Sequence, residues 1–170
     1  MNQATLKDAN TLLADMAEQL RCLLHNKQIT EPMMIGIQTG GVWIAEALHK
    51  ALALEQPLGT LNITFYRDDF TRIGMHPQVT PSNLPFEVDD RHIILVDDVL
   101  HTGRTIRAAL NEIFDYGRPA SVILVSLIER TGRELPISAD IAGQKLDLQE
   151  GQQIKLSGPS PLTLTLMENM

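Results

Sequence analysis

The run Ile93-Ile94-Leu95-Val96-Asp97-Asp98-Val99-Leu100-His101-Thr102-Gly103-Arg104-Thr105-Ile106 decides the fold. Its four leading aliphatic residues predict a central parallel strand, and open α/β sheets bind ligands at the carboxyl ends of such strands. The short polar turn that follows leads into a helix, so the backbone N–H groups of Thr102, Gly103, Arg104 and Thr105 are placed to converge on an anion. Asp97 and Asp98 come just before this turn. An ionised carboxylate only accepts hydrogen bonds, so an acidic pair beside a phosphate cradle repels the phosphate and suits sugar hydroxyls instead. The combination describes a site for a ribose 5-phosphate.

Two other phosphate binders are excluded. The chain has no G-x-x-x-x-G-K-[ST], and no G-x-G-x-x-G follows a strand. Taken alone, Asp97-Asp98 is ordinary strand-end polarity and Thr102 a helix N-cap. The apolar run before the pair and Thr102-Gly103-Arg104-Thr105 after it favour a ligand site.

With 170 residues and 44% hydrophobic content, the chain is expected to form one domain, 1–170, with a core of its own. The N-terminus is polar and does not resemble a signal peptide, and no apolar run reaches membrane-spanning length. A single cysteine, Cys22, precludes an intrachain disulfide and leads to an expected cytoplasmic location. The net charge of −7 argues against broad electrostatic attraction to nucleic acid.

Leu6, Ala9, Leu13, Met16, Leu20 and Leu23 recur at helical spacing, which predicts a first amphipathic helix ending near His25-Asn26. Met33 to Ile37 reads as a buried strand, Gln38 to Gly41 as a glycine turn and Val42 to Leu54 as a second helix. A strand is expected over 60–66, then an irregular stretch of lid length over 67–84, interrupted by Pro77 and Pro81. A β-hairpin arm serving as an oligomer contact is the alternative for that stretch. Thr105 to Tyr116 reads as a helix stopped by Gly117, and Ala120 to Ile128 as another buried strand. This alternation predicts an α/β fold, a mostly parallel sheet with helices on both faces. From Glu129 onward, polar turns and short alternating stretches predict an appended antiparallel flap. Thr39, Gly40 and Gly41 also lie between a buried strand and a helix, which offers a second anion cradle at the same end of the sheet.

The 93–106 residue order resembles the phosphoribosyl pyrophosphate (PRPP) signature of type I phosphoribosyltransferases. Nearly end to end, the chain resembles the PyrR family, bifunctional pyrimidine-operon regulators with uracil phosphoribosyltransferase activity. The resemblance rests on Phe65-Tyr66-Arg67-Asp68-Asp69-Phe70, Val96 to Thr105, Gly117-Arg118-Pro119 and Arg133-Glu134-Leu135-Pro136-Ile137. It implies a type I phosphoribosyltransferase fold with a flexible loop or hairpin near 67–84 and a small C-terminal hood over 129–170. Asp97 and Asp98 would hold the ribose hydroxyls. His101, Thr102, Gly103, Arg104 and Thr105 would hold the 5-phosphate, and Thr39, Gly40 and Gly41 the pyrophosphate. Arg67, Asp68, Asp69 and Arg72 would act from the loop, Arg67 on the reaction itself. Uracil would lie against Glu129, Arg130, Thr131, Gly132 and Arg133, held largely by main-chain groups.

The resemblance further implies Mg2+ chelated with PRPP, with no direct protein ligand to the metal. PRPP and uracil would be substrates and UMP a product, with pyrimidine-operon leader mRNA as a further partner and a homodimer or higher homo-oligomer as the assembly. Three positions depart from the family pattern. Gly40 stands where an arginine is common, Thr131-Gly132 where Gly-His is common, and Ser138 where a second arginine is common. These departures remove positive charge from the pyrophosphate loop and from the RNA-facing hood. The rival to a uracil phosphoribosyltransferase is therefore a UMP- or PRPP-responsive RNA-binding attenuation regulator with weak or no catalysis. A purine phosphoribosyltransferase is a third reading, disfavoured by Tyr66-Arg67-Asp68-Asp69 and the 133–137 run.

Overall fold

In the computed structural model, which describes residues 5–63 and 82–168, strand β1 (Met33–Ile37) is buried along its whole length. A strand can be apolar on both faces only when both faces of its sheet are covered. The cover on one side is α1 (Ala9–Asn26) with α2 (Gly40–Ala51), and on the other α3 (Arg104–Tyr116). Side chains alternate between the two sides, as a pleated strand requires. Met34, Ile94, Val96, Val125 and Leu127 join the α1–α2 core, whereas Met33, Ile35, Ile37, Ile93, Leu95 and Leu124 pack toward Ile106, Ala109 and Ile113 of α3.

The main sheet has the order β2-β1-β3-β4-β5, with β2 at Gly59–Leu61, β3 at His92–Leu100, β4 at Ser121–Arg130 and β5 at Ile141–Leu146. All its pairings are parallel. From β1 the chain passes to one side, to β2, and then returns to the other side as β3. The crevice outside the carboxyl ends of β1 and β3 is therefore a topological switch point, the place where open α/β sheets bind ligands.

Helix α1 is capped by Asp8, whose carboxylate accepts from Thr11 N at 3.2 Å. Its buried seam runs through Leu12, Leu13, Met16, Leu20 and Leu24, so Leu24 rather than Leu23 is the deeply buried position of the last turn. Helix α2 starts two residues before the expected Val42, and Gly40 and Gly41 form its first turn. Gly36 permits this close entry, since a Cβ there would lie 2.8 Å from Val42 Cα.

The strand expected over 60–66 is shorter: β2 ends at Leu61, residues 62 and 63 are not strand, and 64–66 lie outside the described residues. Most of the expected 67–84 loop lies outside them as well. The chain re-enters at an antiparallel bridge, Thr60 N donating to Asn83 O and Asn83 N to Thr60 O, both at 2.8 Å.

The C-terminal flap requires a correction. Residues 129–170 do not form one antiparallel unit, because Ile141–Leu146 joins the main sheet as its parallel edge strand beside β4. Only β6 (Gln152–Ser157) and β7 (Thr163–Glu168) form an antiparallel hairpin. Packing against α1 selects the edge position for β5: a Cβ on Gly143 would meet Leu127 O at 2.5 Å and Met16 Sδ at 2.9 Å, so only glycine lets the strand lie there.

Candidate active site

Strand β3 runs through the two carboxylates and ends at Leu100, so Asp97 and Asp98 sit on regular backbone rather than in a turn. Asp97 is 5% exposed. Its Oδ1 accepts from Asp98 N at 2.8 Å, and Asp98 Oδ1 accepts from Val99 N at 2.8 Å. Each carboxylate is thus oriented by main chain before any ligand arrives.

The glycine turn lies directly on this pair. A Cβ on Gly41 would come within 2.7 Å of Val96 O and 3.1 Å of Asp97 Cα, and a Cβ on Gly40 would overlap the Asp98 carboxylate, with Cγ at 2.8 Å. A side chain at 40 must displace Asp98, which is the physical counterpart of glycine where the family pattern has arginine. The structure therefore brings Gly40 and Gly41 against Asp98 and Asp97, with Thr39 one residue before them. The Gln38-Thr39 peptide is cis.

Beyond Leu100 the backbone turns into α3 through Gly103, at φ 96°. Arg104 N donates to Thr102 Oγ1 at 3.1 Å, and Arg107 N to Gly103 O at 2.9 Å. The loop is clasped from outside. Thr102 O accepts from Glu134 N at 3.0 Å and Leu135 N at 3.1 Å, while Leu135 and Ile137 pack on Gly103. Arg104 Nε pairs with Glu134 Oε2 at 3.1 Å; both side chains are half exposed, so this ion pair orients more than it stabilises. The 133–137 run is thus a clamp on the loop between β3 and α3.

His101 is exposed and leans on Gly132, where φ is 112° and a Cβ would stand 2.6 Å from the imidazole Nε2. Its pKa is lowered, first by desolvation and next by the positive charge of Arg130, against a smaller opposing pull from Glu134. The imidazole is therefore neutral at pH 7.

Of the residues expected to face the nucleobase, Glu129, Arg130 and Thr131 line a cavity of about 350 Å3 at the carboxyl ends of β4 and β5. Gly132 and Arg133 are not among its lining residues. Lys145, Leu146 and Asp147 complete the wall. These three were not expected from the sequence, because a parallel register between distant segments leaves no local signal. Arg67, Asp68, Asp69 and Arg72 lie outside the described residues. Among the described residues no cluster of three or more His, Cys, Asp or Glu is arranged to hold a metal, and no helix is long and apolar enough to cross a membrane.

Two carboxylates at a switch point thus lie between two glycine turns, each of which opens a helix. Comparison with known proteins shows the family. The sequence model for the phosphoribosyl transferase domain matches residues 2–154. Bifunctional protein PyrR of Nitrosococcus oceani is 61% identical over 159 residues, covering 92% of this chain and 90% of that protein. Bifunctional protein PyrR of Pseudomonas paraeruginosa is 59% identical over 160 residues, covering 94% of each. Among solved structures, the hypoxanthine phosphoribosyltransferase of Trypanosoma cruzi superimposes with a TM-score of 0.62 at 20% identity, over 82% of this chain and 77% of that one. The purine phosphoribosyltransferase of Pyrococcus horikoshii gives 0.57 at 18%, over 82% and 85%. At these identities the structural likeness shows the fold alone. The chain belongs to the PyrR family of phosphoribosyl transferase domain proteins.

Proposed function

We propose that the protein transfers the phosphoribosyl group of PRPP to uracil, giving UMP and pyrophosphate. The observation that carries this reading is the packing of Gly40 and Gly41 on Asp97 and Asp98, beside the loop of His101, Thr102, Gly103, Arg104 and Thr105. In the proposed complex the 5-phosphate takes the backbone donors of residues 102–105, the ribose diol donates to the two carboxylates, and the pyrophosphate lies over Thr39, Gly40 and Gly41. Displacement at the anomeric carbon passes through an oxocarbenium-like state, as in glycoside chemistry. Carboxylates already fixed by main-chain N–H groups stabilise that charge without reorganising. A strong side-chain nucleophile is not needed. Arg67 and Arg72 are the proposed cations for the departing pyrophosphate, with Asp68 and Asp69 beside them in sequence.

Magnesium is expected to enter with PRPP, supplying charge neutralisation on the pyrophosphate. A metal that takes its ligands from substrate and water needs no direct protein ligand, and among the described residues no third His, Cys, Asp or Glu joins Asp97 and Asp98. The chain is read as one domain, cytoplasmic and self-associating. Exposed Phe114 (57%) and Tyr116 (49%) on α3 are the apolar surface to examine by light scattering. The test of function is pyrophosphate release with PRPP, Mg2+ and each nucleobase in turn.

The relatives' name, bifunctional, favours a second activity, UMP- or PRPP-responsive binding of pyrimidine-operon leader mRNA. Against it stand the net charge of −7 and the uncharged Thr131, Gly132 and Ser138 of the hood. On that account RNA affinity is weak, little dependent on sequence, and collapses between low and physiological salt. Tight, UMP-stimulated gel shifts at physiological salt would establish the regulator instead.

A further inference from the structure

Helix α2 begins with little of its own to hold it. Thr39, its N-cap, makes no side-chain capping bond, and the two residues that follow are Gly40 and Gly41, whose backbone loses the most freedom on being fixed. A cradle of backbone N–H groups stabilises an anion well only when it is fixed in advance. Asp97 and Asp98 pack on one side of the two glycines. One turn further along, three residues after Gly40 and so on the same stripe of the helix, stands Trp43, the single tryptophan of the chain. A large side chain on a helix leans toward the N-terminus, over the turn that precedes it, which here is the glycine turn.

The half-buried indole is backed by the C-terminal hairpin. Leu156 of β6 is buried in the α1–α2 core, and Ile154, Leu162 and Leu164 pack against that core together with Trp43. The turn of the hairpin lies against the indole: a Cβ on Gly158 would stand 3.1 Å from Trp43 Cε3, 3.4 Å from its Cζ3 and 2.7 Å from Leu162 Cδ2. At its other end the hairpin is tied to the sheet, where Arg130 at the end of β4 donates to Gln152 O at 3.1 Å. Gln152 Nε2 in turn donates across the hairpin to Glu168 Oε1 at 3.0 Å. The hairpin thus reaches from the end of β4 to the helix that carries the glycine turn, which it meets at Trp43.

We propose that Trp43, backed by the hairpin at Gly158 and Leu162, is a positioning residue that holds the 39–41 turn in the conformation that receives the pyrophosphate of PRPP. This rests on the phosphoribosyl transfer function above and gives the C-terminal hairpin a share in substrate binding. The indole acts through the first turn of α2 and touches no reacting atom. Removing it leaves a gap between hairpin and helix, so the two glycines populate several conformations of which one is competent, and the apparent affinity for PRPP falls by the competent fraction. UMP has no pyrophosphate and escapes that penalty.

The native protein supplies the first readout, since Trp43 alone gives its tryptophan emission. Pyrophosphate with Mg2+, at concentrations that calorimetry shows to saturate, should shift that emission and lower its quenching by acrylamide, and UMP should do neither. Trp43→Ala should raise the KM for PRPP about ten- to a hundredfold while leaving the Kd for UMP nearly unchanged, and Trp43→Phe, which restores a ring, should recover most of the loss. Gly158→Leu, which drives a side chain into the indole from behind, should move the KM for PRPP in the same direction. Emission and quenching that do not respond to bound pyrophosphate would overturn the proposal while leaving uracil transfer intact. So would a folded Trp43→Ala whose KM for PRPP is native, or whose Kd for UMP rises as much as that KM. A native protein that binds neither pyrophosphate nor PRPP would overturn the pyrophosphate assignment of the 39–41 turn, and the role of Trp43 with it.

Discussion

Replacing Gly40 by alanine separates the ligand site from the fold more cleanly than any substitution of the carboxylates. The added Cβ would overlap Asp98 Oδ2 and stand 2.8 Å from its Cγ, two atoms that rotation of the side chain carries away, and 3.1 Å from its Cβ, a tight contact that a shift of a few tenths of an ångström relieves. Rotation breaks the 2.8 Å bond from Val99 N to Asp98 Oδ1 and carries the carboxylate away from the proposed ribose position. Loss of one charged hydrogen bond to a ribose hydroxyl costs about 1.5–3 kcal/mol, so PRPP affinity should fall roughly ten- to a hundredfold. Stability should change little, because Asp98 is only partly buried. Gly41→Ala is the control. Its Cβ would meet Val96 O at 2.7 Å, a strand backbone atom that cannot move alone. Overpacking of that kind costs about 1–3 kcal/mol, or roughly 2–10 °C in Tm for a chain of this length. Calorimetry with PRPP and Mg2+ measures the first effect, and a thermal melt the second. Native PRPP affinity in Gly40→Ala, or a loss of Tm in it as large as in Gly41→Ala, would refute the reasoning.

The remaining expectations use other parts of the site. Replacing Asp97 and Asp98 together by Asn should weaken both PRPP and UMP binding by more than Gly40→Ala does, and unchanged calorimetric affinities would reject the diol assignment. Glu112 is buried in α3 with Oε2 unpartnered, and its pKa is raised first by burial and further by Asp115, against a hydrogen bond from Ser82. With the folded value above the unfolded one, its contribution to stability is full below the unfolded pKa and is lost as pH rises through the folded value. Glu112→Gln should therefore raise Tm at pH 7 by a few degrees, a gain that shrinks on acidification toward pH 4; a pH-independent difference would contradict the burial account. For His101, whose pKa is lowered, kcat/KM for uracil should titrate below the ordinary imidazole value if the ring moves a proton. In that case His101→Tyr abolishes the titration with a rate loss of roughly a hundred- to ten-thousandfold, whereas superimposable profiles would make it a loop residue only.

Much of this architecture can be read from the sequence where local physics is sufficient. Residues 93–106 carry strand, acidic pair and helix start in one run, and Met33 to Gly41 repeats strand, turn and helix start, so two turns at the same end of a parallel sheet are legible, whereas the strand order that makes the crevice a switch point is not. Elements that depend on distant partners are not legible in this way. Ile141–Leu146 does not alternate; it becomes a parallel edge strand because Gly143 lets it lie against Leu127 and Met16. Lys145 joins the cavity wall only through that register with Glu129. The clamp of Glu134 and Leu135 on Thr102 consists of main-chain hydrogen bonds, which side-chain identity does not reveal. The start of α2 shifts to Gly40, where Asp97 and Asp98 pack so closely that a side chain at 40 or 41 has no space.

The most direct test of the central claim is pyrophosphate release from PRPP and Mg2+, measured with uracil, cytosine, hypoxanthine and guanine in parallel. The account predicts release with uracil, accompanied by an equal amount of UMP, and none above background with the other three bases. Release with hypoxanthine or guanine in place of uracil, or release with no base and no UMP formed, would contradict it.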